Sequence, residues 1–354
     1  MSVDPTADLL RWYDAHARSL PWRLAPGSRE APDPYRVWLA EIMLQQTTVA
    51  AAGPFFERFL ARWPTVQALA AASDADLMAA WAGLGYYARA RNLLAAARVV
   101  AARGDFPRTE AGLMRLPGVG AYTAAAVAAI AFGEPAVVID ANVERVASRW
   151  FAIAEPLPAA RAMLKARLQP HVPGSRPGDF AQAMMDLGAT ICAPRKPACA
   201  ACPLAPHCIA HARATPTAFP VKPARKPRPL KQGIAWWIEQ HGAVALLRRP
   251  PKGMLGGMLG LPGTAWRIGA PDEAPPFPAR WQPLPAAIPH GFTHFELLLH
   301  MRIARLPAGT DAPSNLGLEW VPRAQLASIG LPTLYKKAVA AVLASEVQPC
   351  FEAA

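Results

Sequence analysis

Seventeen residues, CAPRKPACAACPLAPHC from Cys192 to Cys208, hold four of the five cysteines in a chain of 354. The spacing is C-x6-C-x2-C-x5-C. A chain carrying this loop must fold so that four thiols converge, which makes it the strongest single constraint on the architecture. Disulfides are not expected in a reducing compartment. Four thiolates suit either a zinc ion or a 4Fe–4S cube. Structural zinc usually takes two C-x2-C-type pairs set apart by a longer arm. Here Cys192, Cys199, Cys202 and Cys208 lie in one compact loop after a helix, which favours the cube. His207 and His211 stand close enough to substitute as ligands, although four cysteines already complete a site. Cys350 is remote and reads as an incidental thiol. A cube at the end of a long basic helical stretch suits a structural part better than electron transfer: it would fix a loop bearing Arg195 and Lys196 against phosphates.

The formal net charge is +12 and the pI about 9.9, which points to a polyanionic partner, nucleic acid first. A generally basic surface is the alternative. The chain does not open on a signal peptide, and no apolar run reaches the roughly 18 residues that span a bilayer. A soluble, cytoplasmic protein with no membrane partner is expected, associated with the nucleoid if bacterial. Its length suggests two domains at about 150 residues each.

The first 212 residues read as helical. DPYRVWLAEIMLQQT offers Asp33 as a cap and Pro34 in the first turn. SDADLMAAWAGLG starts on Ser73 with Asp76 three residues on, close to a capping box, and stops at Gly83 and Gly85. YYARARNLLAAARVVAARG has helical spacing and a terminal glycine. DANVERVASRW starts on Asp140. RATPTAFPVKPARKPRPLK, residues 213–231, has five prolines, six basic residues and no acid, and reads as an extended spacer that could also lie along phosphates. Beyond it the texture changes over 232–346. GIAWWIEQHGAVALLRRP reads as two strands about His241-Gly242, GFTHFELLLHMRIARLP as another strand, and LPTLYKKAVAAVLAS as a closing helix. The fold class expected is a mainly α N-terminal part followed by a smaller α+β domain.

LPGVGAYTAAAVAAIAFG lies within 116–132 and just beyond. Gly118 and Gly120 let the backbone turn tightly and approach a phosphate, and the helix after them points its amides at that anion. Such a grip, through Leu116, Gly118, Val119 and Gly120, ignores base sequence. Followed directly by a long Ala-rich helix, this is a helix–hairpin–helix signal.

Together, LPGVG, VVIDANV some twenty residues later and the four-cysteine loop at 192–208 resemble the helix–hairpin–helix DNA glycosylases with an iron–sulfur loop. AEIMLQQT, GLGYYARARN, QAMMDLG and a second domain containing FTHF are similar to the MutY-type adenine glycosylases among them, and the resemblance covers essentially the whole chain. It implies a six-helix barrel plus iron–sulfur domain, one 4Fe–4S cluster and a C-terminal Nudix-like domain. It also implies a monomer acting on double-stranded DNA with adenine opposite 8-oxoguanine or guanine. Bifunctional relatives carry a lysine two residues after the last hairpin glycine. Tyr122 stands there in this chain, and no lysine precedes Lys165. A monofunctional enzyme that leaves an abasic site is expected.

Cleaving an N-glycosidic bond calls for a proton on the leaving base and a negative neighbour for an oxocarbenium-like sugar. Two carboxylates with separated pKa values would serve. From Tyr35 to Phe56 the only charges are Arg36 and Glu41, on a helix apolar on most sides. Desolvation there should let Glu41 hold a proton near neutrality; the alternative is a structural Glu–Arg pair. Under the resemblance Glu41 protonates adenine. Asp140 faces the cation, although it could equally be an ordinary helix cap, and Asn142 assists it. Ala141 replaces the usual glycine. Tyr122 is expected to touch Glu41 or the sugar.

The resemblance further makes Gln46 and Tyr86 the wedge into the duplex, with Thr47 and Leu84 beside them around 8-oxoguanine. Trp22, Arg23 and Gln182 match the adenine pocket. Between Met254 and Pro289 the only acids are Asp272 and Glu273, too few for a hydrolytic Nudix metal site. Thr293 and His294 match the loop that reads 8-oxoguanine, Phe292 packing behind; a plain strand edge is the alternative. An endonuclease III-like glycosylase–lyase and a non-catalytic damage-binding protein are the competing functions. The missing lysine opposes the first, and the Glu41/Asp140 pair opposes the second.

Overall fold

The computed structural model describes residues 4–222, 227–250, 253–307, 310 and 312–347. Cys350 and part of the proline-rich spacer lie outside the described residues. The chain divides into two compact units, Met1–Ala224 and Arg225–Ala354.

The first unit is helical. Its helices are α1 (Pro5–His16), α2 (Pro34–Leu44), α3 (Val49–Arg62), α4 (Val66–Ala70), α5 (Asp74–Trp81) and α6 (Ala88–Arg103). They continue as α7 (Glu110–Leu113), α8 (Ala121–Phe132), α9 (Ala141–Trp150), α10 (Arg161–Leu168), α11 (Pro177–Thr190) and α12 (Ile209–Ala212). Their ends follow from local chemistry. Asp33 caps α2 by accepting from the Tyr35 amide at 2.9 Å, and Ser73 caps α5 by accepting from the Asp76 amide at 3.1 Å. Gly104 and Gly133 close α6 and α8 in the left-handed conformation, where a side chain would be strained. The Ala-rich α8 is buried nearly all round, packed against α2 and α11. Small side chains let those helices approach closely, which brings Glu41 on α2 near the start of α8.

Arg213–Val221 continues this unit. The Arg149 side chain donates from Nε to the Phe219 carbonyl at 3.1 Å, and the Leu157 amide donates to that of Val221 at 3.0 Å. At the other end Leu230 and Lys231 already belong to a strand. The spacer expected over 213–231 is therefore shorter than its composition suggests. Proline removes donors, but the carbonyls of an extended Pro-rich chain remain free to accept.

The second unit is a mixed sheet with one long helix, α13 (Thr333–Val347). Its strands are β1 (Leu230–Gln240), β2 (Ala243–Arg248), β3 (Leu259–Gly260), β4 (Gln282–Pro283), β5 (Ile288–Gly291), β6 (Glu296–Arg305) and β7 (Leu318–Pro322). The order is β3-β2-β1-β6-β4, with β5 also on β6 and β7 also on β2. β1 and β2 form a hairpin through His241-Gly242, both at positive φ. β1 pairs with β6 in parallel, Leu230 opposite Glu296 through Glu239 opposite Arg305. Trp237, Val244 and Leu246 pack with Leu334, Tyr335 and Ala338 of α13, while Ile234, Trp236 and Ile238 bury against Phe277 on the opposite face. Covered on both faces, β1 reads as a continuous apolar run. The strand expected over GFTHFELLLHMRIARLP is present as β6, which begins only at Glu296; β5 ends at Gly291, and the Phe292 amide donates to the Phe295 carbonyl across the bend between.

Candidate active site

Glu41 sits mid-helix on α2, 5% exposed. Burial pushes its carboxyl up from 4.5 to about 7, against the opposing pull of the Tyr122 hydrogen bond and the Arg23 charge; the Asp140 charge adds to the rise. Tyr122, in the first turn of α8, donates its phenolic O–H to Glu41 Oε2 at 2.7 Å. Burial, then the neighbouring Glu41, holds that phenol well above its ordinary range, so it stays a donor.

Asp140 is both a helix cap and a cleft residue, so its two sequence-level readings coexist. Oδ1 accepts from the Val143 amide at 2.7 Å, and Oδ2 accepts from Asn142 Nδ2 at 3.0 Å. Burial raises its pKa while these donors oppose the rise. Arg145 in turn donates to Asn142 Oδ1 at 2.9 Å and from Nε to the Cys192 carbonyl at 2.8 Å.

Both carboxylates line one cleft of about 440 Å³ with Trp22, Arg23, Gln46, Thr47, Tyr122, Asn142 and Gln182. Trp22 is held edge-on to Phe56, ring centroids 5.4 Å apart. Arg23 is aimed by Asp186 of α11, whose fully buried carboxylate accepts from Arg23 at 2.8 Å and from Arg18 Nε at 2.7 Å. The cleft lining holds no lysine.

Three other sets of expected residues in the first unit are not among the residues lining this cleft, and a fourth belongs to the second unit. Leu84 and Tyr86 occupy the neighbouring α5–α6 loop, Leu84 buried and Tyr86 54% exposed. In the hairpin before α8, a Cβ on Gly118 would lie 2.6 Å from the Asn92 side chain, and its φ is +73°. Gly120 caps α8 with no side-chain hydrogen bond. Leu116 and Val119 are buried, and the Val119 amide already donates to the Leu116 carbonyl. The four loop cysteines line a second, apolar cavity with Leu187, Leu204 and Arg149. In the second unit Thr293 and His294 are exposed on the β5–β6 bend. Phe292 is half-buried behind them, 4.8 Å from Phe295 and 5.3 Å from Trp266, ring centre to ring centre.

Residues 39–170 match the HhH-GPD superfamily of base excision DNA repair proteins, and residues 234–341 match the NUDIX domain. The adenine DNA glycosylase of Homo sapiens is 34% identical over 93% of this chain and 72% of its own, and that of Mus musculus 34% identical over 94% and 76%. This chain belongs to the adenine DNA glycosylases. Their counterpart from Mycolicibacterium smegmatis is 42% identical, covering 59% of this chain and 69% of its own. A solved thermostable thymine-DNA glycosylase is 32% identical with a TM-score of 0.53, covering 59% of this chain and 95% of its own. As a member of the adenine DNA glycosylases the protein is a DNA-binding N-glycosylase of base excision repair, and its second unit is Nudix-like.

Sequence reasoning missed Asp186 and Arg145. Asp186 acts on Arg18 and Arg23, and Arg145 on Gly188 and Cys192 besides the nearby Asn142, so no local spacing marked them. Only the placing of a carboxylate in a buried helix could have hinted at Asp186.

Proposed function

We propose that the enzyme removes adenine opposite 8-oxoguanine or guanine in duplex DNA, by acid-assisted cleavage of the N-glycosidic bond, and leaves an abasic site. The observation that carries this is Glu41: a buried carboxyl pushed up to about 7, bonded to Tyr122, facing the same cleft as Asp140. Glu41 donates its proton to the ring of the departing adenine, which leaves with the bonding electron pair. The sugar becomes cationic, and Asp140, oriented by Val143 and Asn142, stabilises it until water adds. Both carboxyls are raised, but Asp140 keeps donors on each oxygen and so is the one suited to stay ionised. With Tyr122 at the lysine position and no lysine in the cleft lining, nothing among the described residues there offers an amine for a Schiff base.

Trp22, Arg23 and Gln182 hold the flipped adenine. Gln46, Thr47, Leu84 and Tyr86 fill and probe the gap it leaves. The hairpin grips a phosphate through the free amides of Gly118 and Gly120 rather than through the buried Leu116 and Val119 side chains. Phe292, Thr293 and His294 read 8-oxoguanine. The reading of the chain as a glycosylase region, a short spacer and a lesion-reading domain goes with these roles, as does action as a monomer at the nucleoid.

Cys192, Cys199, Cys202 and Cys208 hold one 4Fe–4S cluster, which supplies a rigid, structural cross-link when bound. The donor set fits. Cys192, Cys199, Cys202 and Cys208 all line one cavity, so the four converge. Four thiols in one compact loop suit a cube better than one zinc, whose structural sites usually take two C-x2-C-type pairs set apart. Arg149, which donates to the Cys192 sulfur at 3.2 Å, places a cation beside a thiolate cluster.

Single-turnover base release from an A·8-oxoguanine duplex tests the reading, with the strand intact until alkali is added. A strand cut without alkali, or release of a pyrimidine instead, overturns it.

A further inference from the structure

Gln46 and Tyr86 stand exposed on two separate loops, yet both backbones sit in the left-handed region, at φ +57° and +48°. Non-glycine residues keep that conformation only where their surroundings enforce it. Here one side chain reaches both loops. Arg89, 8% exposed, lies in the first turn of α6. Its Nη1 donates to the carbonyls of Ile42 (3.3 Å), Met43 (2.9 Å) and Gln45. Its Nη2 donates to the carbonyls of Leu84 (3.0 Å) and Gly85 (3.3 Å) and to Thr47 Oγ1 (3.1 Å). The guanidinium carbon lies 5.3 Å from the Trp81 ring centre and 5.5 Å from that of Tyr86. The Ile42 and Met43 carbonyls belong to the last turn of α2, where carbonyls run short of helical donors and the dipole favours a cation; that of Ile42 also accepts from the Gln45 amide at 3.4 Å.

We propose that Arg89 is a positioning residue that locks the 42–47 and 84–86 loops in one relation, so that Gln46 and Tyr86 meet the duplex as a single probe. This rests on the reading of those two residues as the wedge. A planar fork with two terminal nitrogens can face two loops at once, and a lysine ammonium cannot. Separate loops would each have to find the duplex, and the cost would appear where a base must be unpaired and unstacked, not at the glycosidic bond.

The test compares R89K, Y86A, Q46A, T47V and R89K/Y86A in the full chain at single turnover, with enzyme counted by active-site titration. Two duplexes are used: adenine opposite guanine, and adenine opposite a tetrahydrofuran abasic analogue, where unpairing costs little. R89K should lose about ten- to a hundredfold on the paired duplex, the scale of hydrogen bonds to a charged group. It should lose far less opposite the analogue. The double variant should be no slower than the slower single variant, because both act through one element. A merely structural Arg89 lowers the titratable fraction and leaves the ratio between the duplexes unchanged, so an unchanged ratio in R89K, or additive losses with Y86A, overturns the proposal. If R89K does not fold, T47V, which removes one of the six acceptors, should show a smaller shift of that ratio in the same direction, and no shift overturns the proposal. Full activity of both Y86A and Q46A sinks the wedge reading and the proposal with it. An impaired Y86A beside a fully active R89K sinks the proposal alone.

Discussion

The Tyr122 phenol donates to Glu41 Oε2 at 2.7 Å, and that bond favours the ionised form of the very group that must be protonated to act. Tyr122 thus trades some acid occupancy for a fixed carboxyl geometry. With Glu41 at about 7, base release should fall as pH rises through it, because only the protonated form donates, and should fall again on the acid side where Asp140 takes up a proton. Tyr122→Phe removes the bond to the carboxylate, so Glu41 should titrate higher and the alkaline limb should move up by roughly one unit. The check is the pH dependence of single-turnover release for both proteins. A limb that stays put or moves down shows that Glu41 does not set it.

Glu41→Gln keeps the size of the side chain but supplies no proton. Release should fall by about a hundredfold or more, a typical scale for a lost general acid, while duplex binding persists. Near-normal release removes Glu41 from the acid role.

The same substitution has a stability signature that does not depend on activity. A carboxyl raised from 4.5 to about 7 on folding binds its proton more tightly in the native state, so its contribution is complete below 4.5 and is lost as pH rises through 7. Relative to wild type, E41Q should therefore gain on the order of 2–3 kcal/mol between pH 5 and pH 8. Denaturant titrations of both proteins at the two pH values measure it. Parallel curves would mean that Glu41 is already ionised in the folded protein at pH 5.

For the cysteine cavity the expectation is a brown protein, absorbing broadly near the blue, with about four irons per chain. Cys202→Ser should lose colour and thermal stability together, since the loop then has three thiolates to close on. Colourless protein with one stoichiometric zinc would replace the cube with a zinc site.

Much of this was legible beforehand because its causes are local. Asp33-Pro34 starts α2, and a stretch nearly free of charge around Glu41 signals burial and hence a raised carboxyl. Asp140 was ambiguous for a physical reason: one of its oxygens caps α9 while the residue also lines the cleft, so neither reading excludes the other. Arg89 and Asp186 were not legible, because their partners lie on other elements and an arginine in YARARN looks like any solvated helix charge. The FTHF stretch misled as a strand because Phe292 and Phe295 are aromatic residues that also suit strands, while here they pack against each other across a bend.

That bend supports the last prediction. The chemistry residues all lie in the first unit, and Phe219 and Val221 are bonded into it, so a fragment should end near Ala224 and not at Arg213. Such a fragment should still release adenine. It should lose preference for 8-oxoguanine over guanine opposite that adenine. The two bases differ at C8 and N7, where 8-oxoguanine carries a carbonyl and an N–H. The exposed hydroxyl of Thr293 can answer that edge, whereas a hairpin gripping phosphate cannot. One or two such hydrogen bonds at about 1–3 kcal/mol each imply a loss of roughly ten- to a hundredfold in discrimination. Thr293→Ala with His294→Ala in the full chain should move the ratio the same way without the truncation. Release from both mispairs by the full chain, the fragment and the double variant measures it. A fragment that discriminates as well as the full chain would assign lesion reading to the helical unit, where the loops carrying Thr47 and Leu84 would have to provide it.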